Sequence, residues 1–543
     1  MNIKSVINKL AEAFGESIYI RKYKRGIRRN TVFCDRQGIE IPSMLKAVRK
    51  PYNAEYILTD KPLPDRFIKK QGQKIAVVCN FAHNEFFGRF QRTMLMSDFL
   101  LCGENADISD IMREFEIDGI YDGCAVGRFD KSILCDILNG KFSFHKSHHS
   151  KKRVLLYSGS LAQNGLTASL LNLLSNLEND CEYMITYREN SLKGSPERLE
   201  KIPHNFRKIP VSGGFIMSVS ELLCYILYFK LDFSGGLIKK RIDRLFKREW
   251  SRLYGALSVD TAVQFTGYEY GVIKLFESFD GNRVIFVHND MVQEIKQRHN
   301  QHLLTLRQAY RNYSTVALVT EDMRAPTLEI CGTQDNFRIV PNCHDHKTVL
   351  HKSTLPMEFQ PETECNISFG ELEKIMKSDR EKFITIGRFS AEKAHMRLID
   401  AFGDYCRKFP EKETVLIIIG GRGVLYDKTV EYAEKSGLPV ILIRSMENPM
   451  PILKQCSLFM LPSEYEGLGL VMLEADTLGV PVFATDVPGP GCFLREYGGH
   501  LAKNSREGIF DAMCLFEKGG IKPMNIDFES YNRYAVTCFK NIL

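Results

Sequence analysis

The sequence is poor in several things whose absence narrows the field. Of 543 residues one is Trp, and Gly and Pro number 39 and 20, too few for a collagenous or low-complexity chain. Cysteine is not scarce at fifteen, but the count is odd and no C-x-x-C pair occurs, so neither a disulfide framework nor a zinc knuckle is indicated. No apolar run reaches bilayer length: the longest, FIMSVSELLCYILYF at 215–229, is broken by Glu221. Neither charge sign dominates, with 73 Lys and Arg against 66 Asp and Glu and a net charge of +7. The two signs are mostly interleaved, which does not call for nucleic acid. The N-terminal stretch MNIKSVINKLAEAFGES has no apolar h-region and no small-residue cleavage site, so the reducing cytoplasm is the expected compartment.

What is present is a globular balance of 44% apolar and 26% charged residues, in a chain long enough for roughly three or four domains. From Lys382 onward one unit repeats: a short apolar run, a Gly-containing loop, then an amphipathic segment. The runs are FITIG, VLIIIG, PVILI, LFMLP and PVFAT, and HMRLIDAFGDYCRKF, KTVEYAEKSG, PILKQC and LVMLEADTLG lie among them. Strands without alternation, separated by helices, predict a parallel sheet covered on both faces, which is a doubly wound domain. A second such domain begins at Arg153 with VLLYSGS and the helical TASLLNLLSNL, and continues through DTAVQFTG, RVIFVHND, STVALVT and FRIVPN. The predicted organisation is therefore an N-terminal α/β appendage at 1–150, one Rossmann-like domain at 151–349, a linker at 350–375, a second Rossmann-like domain at 376–525 and a crossover helix at 526–543.

Two constellations carry chemistry. In S-E-Y-E-G-L-G-L-V-M-L-E, residues 463–474, Glu466 and Glu474 flank a strand-to-helix junction, where a helical rise would set them about 12 Å apart. Gly467, Leu468 and Gly469 would bring backbone N–H groups close to a sugar or phosphate. In G-R-F-S-A-E-K-A-H, residues 387–395, Arg388 and Lys393 stand at a strand's carboxyl end where a helix starts near Lys393, an arrangement suited to a diphosphate. Taken alone, each pair also fits an ordinary solvated surface.

Together with G-V-P-V-F-A-T-D at 479–486, these motifs resemble the retaining family 4 glycosyltransferases of the GT-B fold, over about 153–543. The resemblance implies an α/β fold of two doubly wound domains facing a cleft, with Arg388 and Lys393 on the donor diphosphate, Glu474 on the ribose hydroxyls and Glu466 on the donor sugar. It further implies a glycine loop from Ser158 through Gly165 to Thr167 and a cleft role for His288 in IFVHND. His344 and His346 read as hinge residues. No D-x-D triplet occurs, so a metal-bound diphosphate has no candidate, and neither metal nor cofactor is expected; the nucleotide-sugar is a substrate.

A second resemblance, over about 28–145, is to the N-terminal domain of CDP-glycerol glycerophosphotransferases. It rests on TDKPLPDRFIKKQGQ, FQRTMLMSDFLL and EIDGIYDG. Where that family carries H-G-T-P-x-K, this chain reads Val78-Cys79-Asn80-Phe81-Ala82-His83, and its G-Y-P-R-x-D survives only as Gly127-Arg128-Phe129-Asp130. The implied appendage is a degenerate relic, which favours a teichoic-acid-like acceptor over another lipid-linked glycan. The rival activities are glycerol-phosphate transfer and a non-catalytic partner subunit. The basic run 21–29 and the cluster Lys239, Lys240, Arg241, Arg244, Lys247 and Arg248 leave two readings open, contact with anionic lipid at the inner membrane face and ordinary packed helices.

Overall fold

The computed structural model describes residues 3–543 apart from 24, 80–86, 103–106, 115–123, 142–143, 146–150, 163, 193–194, 212, 299–300, 334 and 422. The segments Asn80 to His83 and EIDGIYDG lie outside the described residues, as do Lys24 of the basic run and most of HKSHHSKKR. Among the described residues the strands form three seven-stranded sheets.

The amino-terminal sheet contains β1 (Arg28–Cys34), β2 (Lys46–Ala47), β3 (Ala54–Thr59), β4 (Lys74–Cys79), β5 (Phe99–Cys102), β6 (Cys124–Arg128) and β7 (Phe144–His145). Its order is β2-β1-β3-β4-β5-β6-β7, parallel throughout except that β7 runs antiparallel along β6. The appendage is thus a third sheet, and its core of Val32, Leu58, Ala76, Val78 and Leu101 is fully its own.

The second sheet contains β8 (Arg153–Tyr157), β9 (Glu182–Arg188), β10 (Arg207–Val211), β11 (Thr261–Gln264), β12 (Asn282–Val287), β13 (Thr315–Leu318) and β14 (Phe337–Ile339). Its order is β10-β9-β8-β11-β12-β13-β14. Strands β9 and β10 escape the sequence pattern: EYMITYR mixes polar and apolar residues, and RKIPV contains a Pro, which an edge strand tolerates.

The third sheet contains β15 (Glu364–Cys365), β16 (Glu381–Ile386), β17 (Thr414–Gly420), β18 (Val440–Arg444), β19 (Leu458–Leu461), β20 (Val482–Thr485) and β21 (His500–Ala502). Its order is β15-β18-β17-β16-β19-β20-β21. Every residue of β17 is buried. The cause is visible in the side-chain alternation: Ile417 and Ile419 join one apolar cluster with Ile384, Phe459 and Val482, whereas Leu416 and Ile418 join another with Phe383, Met460 and Phe483. Both faces of the sheet are covered, so the chain has the doubly wound architecture expected from its runs, and the α/β, GT-B class of fold holds.

The boundaries differ from those drawn on the sequence. The chain divides into one compact unit of 1–161 with 178–284 and another of 162–177 with 285–543, so the division falls within β12 and not at 350–375. That stretch is no bare linker either: it contains the end of the helix His346–Ser353, β15, and the start of the helix Phe369–Lys377. The terminal helix Phe528–Lys540 fixes itself through Asn532. Its amide oxygen accepts the His344 N–H at 2.8 Å and its amide nitrogen donates to the His344 carbonyl at 2.7 Å.

Candidate active site

Within the second unit, the loops leaving β16 and β19 meet. The first carries Gly387 to Ala394 and the second Pro462 to Leu470. They are joined by backbone, the Glu464 N–H donating to the Glu392 carbonyl at 2.8 Å, and by charge, Lys393 Nζ pairing with Glu466 Oε2. Both of these side chains are mostly buried. Ser463 Oγ donates to the same Glu466 oxygen at 3.3 Å, and the Gly467 N–H donates to Oε1 at 3.3 Å. Arg388 is half-exposed and pairs with Glu392 at 3.1 Å, while Ser390 Oγ donates to the same Glu392 oxygen at 2.7 Å. An ammonium has three donors and a guanidinium five, so each cation keeps N–H groups for an incoming anion.

One expectation of local geometry holds and one needs correction. The helix expected to start near Lys393 is His395–Lys408, and Lys393 ends the 3₁₀ turn Ala391–Lys393 just before it. Glu466 lies in the loop, because the following helix is Val471–Thr477, so the helical rise does not measure its separation from Glu474. Leu468 is buried among Leu461, Met472 and Leu473, so its side chain anchors the loop and only its backbone is left for a ligand.

The glycines explain how the second loop passes so close to β12. A Cβ on Gly467 would overlap the His288 carbonyl oxygen, and Gly469 sits at φ +78°, a left-handed conformation that costs other residues about 1–2 kcal/mol. The structure therefore brings His288, at the carboxyl end of β12, against the loop that holds Glu466. The His288 ring stacks on Phe286 at 5.5 Å. Gly165 opens the helix Gly165–Asn176, whose Asn164 cap accepts the Thr167 N–H at 2.9 Å, and a Cβ there would meet no atom within 4 Å. Glu474 lies in the helix Val471–Thr477 beyond the Glu466 loop. Desolvation pushes its carboxyl up to about 7, and only Lys352 pulls it down.

Three residues escaped the sequence reading. Glu392 and Ser463 organise the cation and the carboxylate through the hydrogen bonds above. His395 is 4% exposed, packs edge-on to Phe389 at 5.1 Å, and has no hydrogen-bond partner among the described residues at either ring nitrogen. Burial, aided by the Lys393 charge, lowers its pKa to about 3. The motif printed all three letters, but nothing in spacing reveals which side chains point inward. His344 behaves similarly, held at about 3 by burial and by His346, and its Nε2 lies 2.8 Å from Thr477 Oγ1 on the helix that bears Glu474.

Beside the meeting loops, an open cavity of about 640 Å³ is lined by Glu321, Asp322, Arg324, Asp486, Val487, Pro488 and Arg495, among others. Thr485, which ends β20, is tied to the Glu466 loop by its Oγ1, which donates to the Ser463 carbonyl at 2.5 Å, and the helix Pro490–Tyr497 is tied to the turn Glu321–Met323 by the Cys492 N–H, which donates to Asp322 at 3.1 Å.

Comparison with known proteins adds to this geometry: residues 371–532 match the family model described as glycosyl transferases group 1. More particularly, the chain is 26% identical over 219 residues to an uncharacterised glycosyltransferase of Methanocaldococcus jannaschii, covering 39% of this chain and 50% of that one. It is 29% identical over 141 residues to a UDP-Gal:alpha-D-GlcNAc-diphosphoundecaprenol alpha-1,3-galactosyltransferase of Escherichia coli, covering 25% of this chain and 36% of that one. The alignments thus span half or less of these curated relatives. Among solved structures, Anabaena HepE in complex with UDP-glucose superposes with a TM-score of 0.49 at 15% identity, covering 72% of this chain and 98% of that one.

Proposed function

We propose that the protein transfers a sugar from a nucleotide-sugar donor to a glycan acceptor, with retention of anomeric configuration and without a metal. The observation that carries this reading is the Lys393–Glu466 pair bridging the loops after β16 and β19, with Arg388 on one side and the His288 carbonyl on the other. Breaking the anomeric C–O bond places positive charge on the sugar and negative charge on the departing diphosphate. Arg388 and Lys393 then stabilise the leaving group, and Glu466 fixes the sugar from the same network. Such a preorganised donor is worth about 3–4 kcal/mol of transition-state stabilisation. Glu474 takes the ribose hydroxyls as a hydrogen-bond acceptor. The acceptor attacks from the leaving-group face, and its proton passes to the phosphate.

For the acceptor, the cavity lining sets three carboxylates, Glu321, Asp322 and Asp486, against Arg324 and Arg495. That balance disfavours a polyanionic, teichoic-acid-like chain there and favours a neutral glycan carried on a lipid. The name of the Escherichia coli relative, which specifies a diphosphoundecaprenol-linked sugar, supports the lipid carrier, whose anionic diphosphate then lies outside this cavity. Nucleotide release measured with UDP-, GDP-, ADP- and CDP-linked sugars, with and without EDTA, tests the reading. Release from one donor class, unchanged by EDTA and strongly reduced in Lys393→Ala, is the expected result; release in none of them would refute the proposed activity.

A further inference from the structure

We propose that the turn joining the helices Val219–Leu231 and Gly236–Tyr254 is a docking tip that inserts into an anionic lipid bilayer. Residues 230–237, KLDFSGGL, are all exposed, and they include Leu231 at 57%, Phe233 at 56% and Leu237 at 87% exposure. On the first helix Leu223, eight residues before Leu231, is 52% exposed, so an apolar row faces outward where a helix bathed only in water carries polar side chains. The helix Ile3–Tyr23 packs alongside, Ser17 Oγ accepting the Val219 N–H at 2.9 Å, and adds Phe14, 66% exposed.

The charge around this apolar tip selects the occupant. Of the six cations in the sequence cluster, Lys239 pairs with Asp243, Lys247 with Asp280 and Arg248 with Glu221. Lys240, Arg241 and Arg244 are exposed and, among the described residues, take part in no ion pair. They follow Leu237 at intervals of three, four and seven, which sets all four on one face of the second helix. That face differs from the one through which Ile242, Leu245 and Phe246 are buried. Apolar side chains at an exposed turn, backed one turn later by Lys and Arg without ion pairs among the described residues, match the boundary between acyl chains and anionic headgroups. No helix among the described residues is long and apolar enough to cross the membrane, so the contact is superficial. All of these residues belong to the first compact unit, and the inference does not depend on the donor chemistry proposed above.

The test is co-sedimentation of the full-length protein with phosphatidylglycerol-containing and with pure phosphatidylcholine vesicles, alongside a Phe233→Trp variant read by fluorescence. Expected are binding to the anionic vesicles only, weakened by salt, and a blue shift of the new Trp on binding. The triple variant Leu231→Ser, Phe233→Ser, Leu237→Ser should partition at least tenfold more weakly, and Lys240→Glu, Arg241→Glu, Arg244→Glu should lose the preference for anionic lipid, each with unchanged melting temperature. Equal binding to neutral vesicles, no binding at all, or unaltered partitioning of the Ser variant would overturn the proposal. So would lipid-free self-association abolished by the same Ser substitutions, which would assign the tip to a second copy of the chain. Nucleotide release assayed without vesicles reports separately on the donor site.

Discussion

Glu474 and Lys393 are expected to fail in different ways when changed. The Glu474 carboxyl titrates at about 7 in the unliganded protein because it is desolvated. A ribose hydroxyl that donates to it stabilises the ionised form, so donor affinity rises as pH climbs from about 6 to 8. Glu474→Gln should flatten that dependence, and a steep profile surviving in the variant would place the titrating group elsewhere. Lys393 meets charge that grows toward the transition state, so Lys393→Ala should lower kcat by about 10²–10³ with a smaller change in donor KM. His395 makes a prediction for stability. Its folded pKa of about 3 lies below the unfolded value, so only the unfolded chain takes up the proton between about pH 6.5 and 3. Stability from this group is full above that window and is lost as the solution is acidified through it. Urea unfolding at pH 7.5 and 5.5 should show a smaller acid loss in His395→Leu than in the parent.

At the scale of elements, the site depends on two loops that depart from ordinary backbone and packing. Ala394 sits at φ +50° between the 3₁₀ turn and the helix His395–Lys408, a strained place for a residue with a Cβ. Ala394→Gly relieves that strain, partly offset by the looser unfolded chain, so a gain of about 0.5–1 kcal/mol in thermal or chemical unfolding is expected. Gly467 has no such freedom to give up, because a methyl there would strike the His288 carbonyl. Gly467→Ala must push the Glu466 loop and β12 apart, costing about 1–3 kcal/mol by the usual scale for overpacking. Its activity should fall further than its melting temperature suggests. These two positions show where legibility ended. The letters of both loops were readable, and Arg388, Lys393 and Glu466 could be singled out from them. The left-handed turn at Ala394 could not, because Ala is a residue that ordinarily continues a helix.

For the whole molecule, the N-terminal segment is an integral part of the first unit. Arg252 lies at 2% and Glu249 at 0% side-chain exposure, paired at 2.7 Å, and Arg252 also donates to the Asp65 carbonyl at 3.0 Å. Arg92, with its pKa lowered to about 10 by burial, donates to the carbonyls of Phe67, Pro64 and Arg252. Removing 1–145 strips these partners and bares the surface that buried them, so the truncated chain should aggregate or lose cooperative melting. A sharper test is Arg252→Met, which leaves buried Glu249 with only the longer Arg248 pair at 3.7 Å and the Ile216 N–H and should cost roughly 3 kcal/mol in chemical denaturation. Parent-like stability of both variants would show that the appendage is merely tethered.

The sequence by itself determined that the chain is α/β with doubly wound domains, because an unbroken buried run such as VLIIIG is stable only with both faces covered, and it placed the charged residues of the candidate site on the loops that follow such runs. It did not show that the first 145 residues form a sheet of their own, that β9 and β10 complete the second sheet, or that the stretch taken for a linker holds an edge strand. Those elements are short or mixed in polarity, and their burial comes from distant segments. The tertiary structure alone decided which side chains meet. Lys393 and Glu466 are 73 residues apart, and Gly467 and the His288 carbonyl are farther still. Contacts of that range arise from how sheets and loops pack in space, which local spacing along the chain does not encode.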